Sequence, residues 1–153
     1  MSYISVISLL IHKLLHDMDF IVLTDNYSIY KFKRNAILPD WIYLSDFYSI
    51  TRTKDELSVI AEQNDSVKEG IIYSNGWRVL KIAGPLNLFL VGVISEVADI
   101  LKAKKIPIME ISTYDTDYFM IRHDVMPQAV NALKEKGHNI TEEEKLTTEY
   151  IHQ

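Results

Sequence analysis

Residues 77–122 read "WRVLKIAGPLNLFLVGVISEVADILKAKKIPIMEISTYDTDYFMIR", and the periodicity of this stretch decides the fold. "WRVLKIAG" (77–84) has the character of a strand. Over 87–104 the apolar residues Leu90, Val91, Ile94, Val97, Ala98 and Leu101 follow helical spacing, while Ser95, Glu96, Asp99 and Lys102 fill the opposite face. "IPIMEI" (106–111) returns to a strand, the turn "STYDTD" follows, and "DYFMIR" (117–122) is the next strand. Asp124 can cap a second helix over 125–136, with Pro127 tolerated in its first turn and Gly137 at its end. "HNI" (138–140) begins a last short strand. The order is βαββαβ, a split-βαβ or ferredoxin-like unit of about 65 residues.

The turn inside that unit is unusual. A hairpin that only reversed direction would favour Asn-Gly or Asp-Gly. This one carries Thr113, Tyr114, Asp115, Thr116 and Asp117, with neither glycine nor proline.

The first half repeats the pattern less clearly. Residues 20–23 and 27–32 read as two strands around the turn "TDN", and "LPDW" (38–41) is a break. "FYSITRT" and "LSVIAE" are strands joined by "KDE". The polar stretch "QNDSVKEG" (63–70) and "SNG" (74–76) bracket a boundary. These strands suffice for a variant unit whose first helix is reduced to the region 39–43. The expected division is therefore 18–73 and 74–140. It is flanked by an amphipathic N-terminal helix (1–17) and a charged, helical C-terminal tail (141–153) with a capping box at Thr141 and Glu144.

The 153 residues are 48% hydrophobic and 24% charged, so the chain folds rather than staying disordered. A net charge of −5 leaves no basic face for nucleic acid or anionic lipid. The absence of cysteine excludes disulfides, thiolate catalysis and cysteine zinc sites, and fits a cytoplasmic protein. The apolar N-terminal run is interrupted by His12, Lys13, His16 and Asp17 and is too short to span a membrane. His12 and His16 have metal-ligand spacing on a helix but read as a surface pair; no metal or cofactor is expected.

Three motifs carry a resemblance: "FYSITRTKDELSVIAE" (47–62), "GWRVLKIAGPLNL" (76–88) and "ISTYDTDYFMI" (111–121). Together they resemble small bacterial tandem-ACT proteins, the CASTOR-type cytosolic arginine sensors and the regulatory domains of aspartate kinases, over roughly residues 18–140. The resemblance implies an α+β fold of two ferredoxin-like ACT units side by side, forming one antiparallel sheet with helices on one face. It implies binding of a small molecule, usually an amino acid, in a groove between units, and assembly into homo-oligomers such as a dimer.

An amino acid needs one partner for its carboxylate and another for its ammonium. The start of the helix that follows "GPLN" offers free N–H groups on Leu88, Phe89 and Leu90 as an anion site, unless Asn87 simply caps that helix. Gly84 lets the backbone approach closely. By the family's pattern Asp117 meets the ammonium. Asp115 is expected to hydrogen-bond its own turn, and both aspartates can also be read as a solvated turn. Thr113 would supply a hydroxyl or carbonyl, Tyr114 an apolar wall, and Ser58 and Val59 the facing side of the groove.

Catalysis is not expected. His123 would lie about 17 Å or more from Asp117 along one strand at roughly 3.3 Å per residue, too far to share a proton. The chain lacks a dinucleotide fingerprint, a P-loop, a nucleophile elbow and a zincin motif. Arg52 is expected to pair with Asp55 or Glu56. The competing expectation is a structural module that docks a partner protein, such as an unidentified regulated enzyme, through a sheet edge or the N-terminal helix.

Overall fold

The structure is a computed structural model that describes residues 17–67, 70–86 and 91–144. Strands β1 (Asp19–Val22), β2 (Tyr27–Phe32), β3 (Ser49–Arg52), β4 (Leu57–Glu62) and β5 (Ile72–Ile82) come first, with a short 3-10 helix at Asp40–Leu44. Helix α1 (Val93–Ala103), β6 (Met109–Ser112), β7 (Asp117–Arg122), α2 (Met126–Glu135) and β8 (Asn139–Glu142) follow. All eight strands form one sheet. The expected α+β class and the βαββαβ order from β5 onward are both present. In the region 39–43 a 3-10 turn begins after Pro39, whose extended backbone prevents an earlier start.

Strand β5 organises the sheet. One of its edges carries β7, from Trp77↔Arg122 to Lys81↔Tyr118, and β7 carries β6. Its other edge carries two strands in succession: β2 opposite its first half and β1 opposite Leu80, Lys81 and Ile82. Strands β4 and then β3 extend the sheet beyond β2. The expected boundary at 73/74 thus falls inside β5, which belongs to both halves.

Three expectations change. β1 and β2 do not pair around "TDN"; both run antiparallel to β5, and β1 lies between β5 and β8. Its pairing with β8 is parallel, the exception in an otherwise antiparallel sheet. "SNG" is not a loop but part of β5, at an irregularity in the register with β2 where Gly76 has φ +78°. Finally, Thr141 is a β8 residue whose hydroxyl donates to the Phe20 carbonyl, so it cannot start a capping box. Residues 1–16 and 145–153, with the expected N-terminal helix and most of the tail, lie outside the described residues.

Alternation along the strands explains the layering. Phe20, Val22, Leu80, Ile82, Phe119 and Ile121 turn to one face and meet Val97, Ile100 and Leu101 of α1 and Ala129, Ala132 and Leu133 of α2. Both helices therefore cover the same face. Glu96 in the first turn of α1 and Lys102 in its last complement the helix dipole. α1 ends with Lys105 at φ +59°, and Ile106 N–H donates back to the Leu101 carbonyl. α2 ends the same way through Gly137 and a His138 N–H bond to Leu133, and no side chain caps its start as Asp124 was expected to do.

In the first half, Tyr30, Phe32, Leu57, Val59 and Ala61 form a smaller core under Ile42 of the 3-10 turn. The opposite sheet face is apolar too: Tyr27, Ile60, Val79 and Met120 are buried, with Phe47, Trp77 and Tyr118 packed around them. Burial, reinforced by Asp25 and Glu62, pushes the Tyr27 phenol upward, so it stays neutral.

Candidate functional site

The acidic turn is held from three sides. Thr113 N–H donates to the Thr116 carbonyl at 2.9 Å, and the Thr113 hydroxyl donates to the same oxygen at 2.8 Å. The buried Thr116 hydroxyl donates to the Ile82 carbonyl at 2.7 Å, tying the turn to β5. Leu86 N–H donates to the Asp115 carbonyl at 2.8 Å, which clamps the 84–86 loop onto it. A Cβ on Gly84 would stand 3.2 Å from both the Asp115 carbonyl and Thr116 Cβ, so only glycine permits this approach without displacement.

The turn faces the start of α1 across a cleft of about 570 Å³. Leu86, Gly92, Val93, Ile94 and Ser95 line one side; Ser112, Thr113, Asp115, Thr116 and Asp117 line the other. The helix begins at Val93, not at 87, because Gly92 sits at φ +92°. The first intrahelical bond runs from Glu96 N–H to Gly92 at 2.8 Å, so the helix itself gives no acceptor to the N–H groups of Val93, Ile94 and Ser95. These three amides, with the positive end of the dipole behind them, can receive an anion.

The other wall is acidic. Asp117 is half-buried, and its Oδ1 accepts from the Ser112 hydroxyl at 2.6 Å. The same hydroxyl stands 2.5 Å from Glu110 Oε1. One hydroxyl proton serves only one carboxylate at a time, so the pair concentrates negative charge suited to an ammonium.

Thr113, Asp115 and Asp117 therefore share a cleft. Asn87, Leu88, Phe89 and Leu90 lie outside the described residues, and the helix-start amides are those of residues 93–95. Tyr114 is 84% exposed and is not an apolar wall; the turn aims it into solvent. The turn-closing role expected of the Asp115 side chain is performed by Thr113. Ser58 and Val59 lie on β4, beyond β2 from the cleft; Val59 is fully buried in the first-half core and cannot touch a ligand there.

Sequence reasoning missed Glu110, Ser112 and the segment 92–95. The signal for the last was Gly92 itself, masked by apolar Leu90 and Val91, which continue the helical period through it. Arg52 has no ion pair among the described residues, and Glu56 pairs instead with Lys31 at 3.8 Å. Among the described residues there is no cluster of metal-ligating side chains, and no helix is long and apolar enough to cross a membrane.

Residues 72–135 match the ACT domain family, and residues 25–68 match a second family described as an N-terminal domain. A search of curated proteins found no match. Among solved structures, a structural-genomics protein from Agobacterium tumefaciens is 27% identical, with a TM-score of 0.76 over 84% of this chain and 96% of that one. Aspartokinase III from E. coli is 13% identical, with a TM-score of 0.56 over 77% of this chain and 33% of that one. The regulatory subunit of aspartate kinase from Thermus thermophilus is 11% identical, with a TM-score of 0.53 over 74% of this chain and 93% of that one. These last two likenesses establish a shared fold. Residues 72–135 thus match the ACT domain family, and the α+β fold of the chain is the ferredoxin-like one it shares with these aspartate kinase structures.

Proposed function

We propose that the chain is a non-catalytic regulatory sensor that binds an amino acid in the cleft between the first turn of α1 and the turn 113–116. One observation carries this reading: helix-start amides with no acceptor inside their own helix and the Glu110–Ser112–Asp117 cluster line or adjoin a single cleft. An α-carboxylate would accept hydrogen bonds from residues 93–95. The α-ammonium would donate to Asp117, and Thr113 would contribute its oxygen. The regulatory role of the Thermus neighbour supports a sensor over an enzyme. The proposal includes two side-by-side ACT units with the first a reduced one, a homo-oligomeric assembly and a cytoplasmic location.

A thermal-shift screen of the amino acids tests it, since a ligand at 100 times its dissociation constant adds about 2.7 kcal/mol to the folded state. Asp117→Asn is expected to weaken a responding amino acid by about 10- to 150-fold in calorimetry, the value of a charge-assisted hydrogen bond. An unchanged constant removes Asp117 from the site.

The docking alternative is favoured by β3, whose Ile50, Thr51 and Arg52 are exposed and which, among the described residues, pairs only with β4. Silence across the amino acids, with a co-purifying protein lost on deleting residues 1–17, would select it.

A further inference from the structure

A second cleft, of about 410 Å³, opens where β2, β5 and β7 meet. Asn26, Gln63, Asn75, Gly76, Arg122 and His123 line it, and it shares no residue with the first cleft. Its floor is the irregular part of β5 at Gly76. A Cβ there would stand 3.1 Å from His123 Nδ1 and 3.2 Å from Arg122 Nη2, so two basic side chains converge on the bare face of this glycine.

The hydrogen bonds of the cleft consume acceptors and leave donors. The Asn75 side-chain oxygen accepts from the fully buried Ser28 hydroxyl at 2.6 Å, which fixes the amide, and its NH2 has no partner among the described residues. Gln63 Oε1 accepts the Gly76 N–H at 3.2 Å, and Gln63 Nε2 donates to Asp65. His123 N–H donates to the Gly76 carbonyl at 3.0 Å, and Nδ1 stands 3.3 Å from the same oxygen.

Arg122 is the exceptional member. Its Nη1 donates to the Asn75 carbonyl, and its guanidinium carbon lies 5.2 Å from the centre of the Trp77 ring. No carboxylate pairs with it among the described residues, although four other ion pairs are present there. A half-buried guanidinium held by a ring and a carbonyl keeps the rest of its N–H fork for an oxyanion.

We propose that this cleft is a second binding site, which takes the carboxylate of a small molecule with Arg122 as its anchor. The Asn75 amide and the exposed Asn26 amide complete the donor set. Charge selects the ligand class. The lining carries the one permanent positive charge of Arg122, and Gln63 holds the carboxylate of Asp65 beside it. A monoanionic carboxylate therefore matches better than a phosphate, which carries nearly two charges at neutral pH. The bound molecule would bridge Asn26 and Gln63 of the first half to Arg122 of the second.

The test is a nitrogen-15 NMR titration of the full chain with acetate, propionate and inorganic phosphate as separate probes. Saturable shifts of the Gly76 and His123 amides and of Arg122 Nε with acetate or propionate are expected. Arg122→Gln should weaken them at least about tenfold, the loss of a hydrogen bond to a charged group. Asn26→Asp changes an exposed side chain and leaves folding intact; it should weaken binding by adding a negative charge. No saturation, or affinity unchanged from the parent chain in both variants, overturns the site. Tighter binding of phosphate than of either carboxylate overturns the ligand class. Shifts confined to Val93 and Asp117 also overturn it while leaving the first cleft standing, so the two readings fail separately.

Discussion

Two hairpin turns, 53–56 and 113–116, begin alike and end differently. In the first half, Thr53 N–H donates to the Glu56 carbonyl at 2.9 Å, and the Asp55 and Glu56 amides reach the Thr53 hydroxyl at 3.2 Å. In the second half, Thr113 N–H donates to the Thr116 carbonyl at the same 2.9 Å, with the Thr113 hydroxyl again near the fourth amide. Thr-x-Asp builds both. Only the second turn docks. Thr116 is buried and bonded to β5, and the loop after β5 contains Gly84, which packs against the turn. The loop after β2 has Lys33, Arg34 and Asn35 in its place and leads to a 3-10 turn, not to a full helix. Local chemistry makes the turn; what lies behind it makes a cleft.

The largest expected effect tests whether the halves are energetically separate. Phe119→Ala, in the larger core, should destabilise the chain by about 3–5 kcal/mol in urea unfolding. Because β5 runs through both halves, fluorescence and circular dichroism should report one shared transition; two transitions would divide the molecule. Gly84→Ala comes next. Its Cβ would press on the turn, at about 1–3 kcal/mol of stability. Amino-acid affinity should fall with it, and unchanged affinity would show that docking of the turn does not shape the cleft. The smallest effects set the turns side by side. Thr116→Val should lose about 1 kcal/mol with its buried bond. Thr53→Ala, on an exposed turn, should stay within about 0.5 kcal/mol. Equal losses would erase the distinction.

Much of the second half was legible because its signals are local. The helical period through Val97 and Leu101 expresses burial on one side of α1, although Ile94, expected on that side, is exposed and Ile100 is buried. The apolar run in "DYFMIR" expresses a strand buried on both faces. Helix ends were less legible: Leu90 and Val91 extend the period across Gly92, and only its positive φ fixes the start. Of the site, Thr113, Asp115 and Asp117 were visible as misplaced polarity in a hairpin. Glu110 and Ser112 were not, since alternating polar residues on a strand are usually just solvated.

The sequence by itself determined the element types and the polar character of the turn, because hydrophobic periodicity and turn chemistry act within a few residues. Only the tertiary structure decided that β1 enters between β5 and β8, that β5 serves both halves, and that Arg122 shares a cleft with Gly76 and Gln63. Those arrangements join residues far apart in the chain. They depend on which apolar faces best close the core, a competition among whole strands that no short window of sequence records.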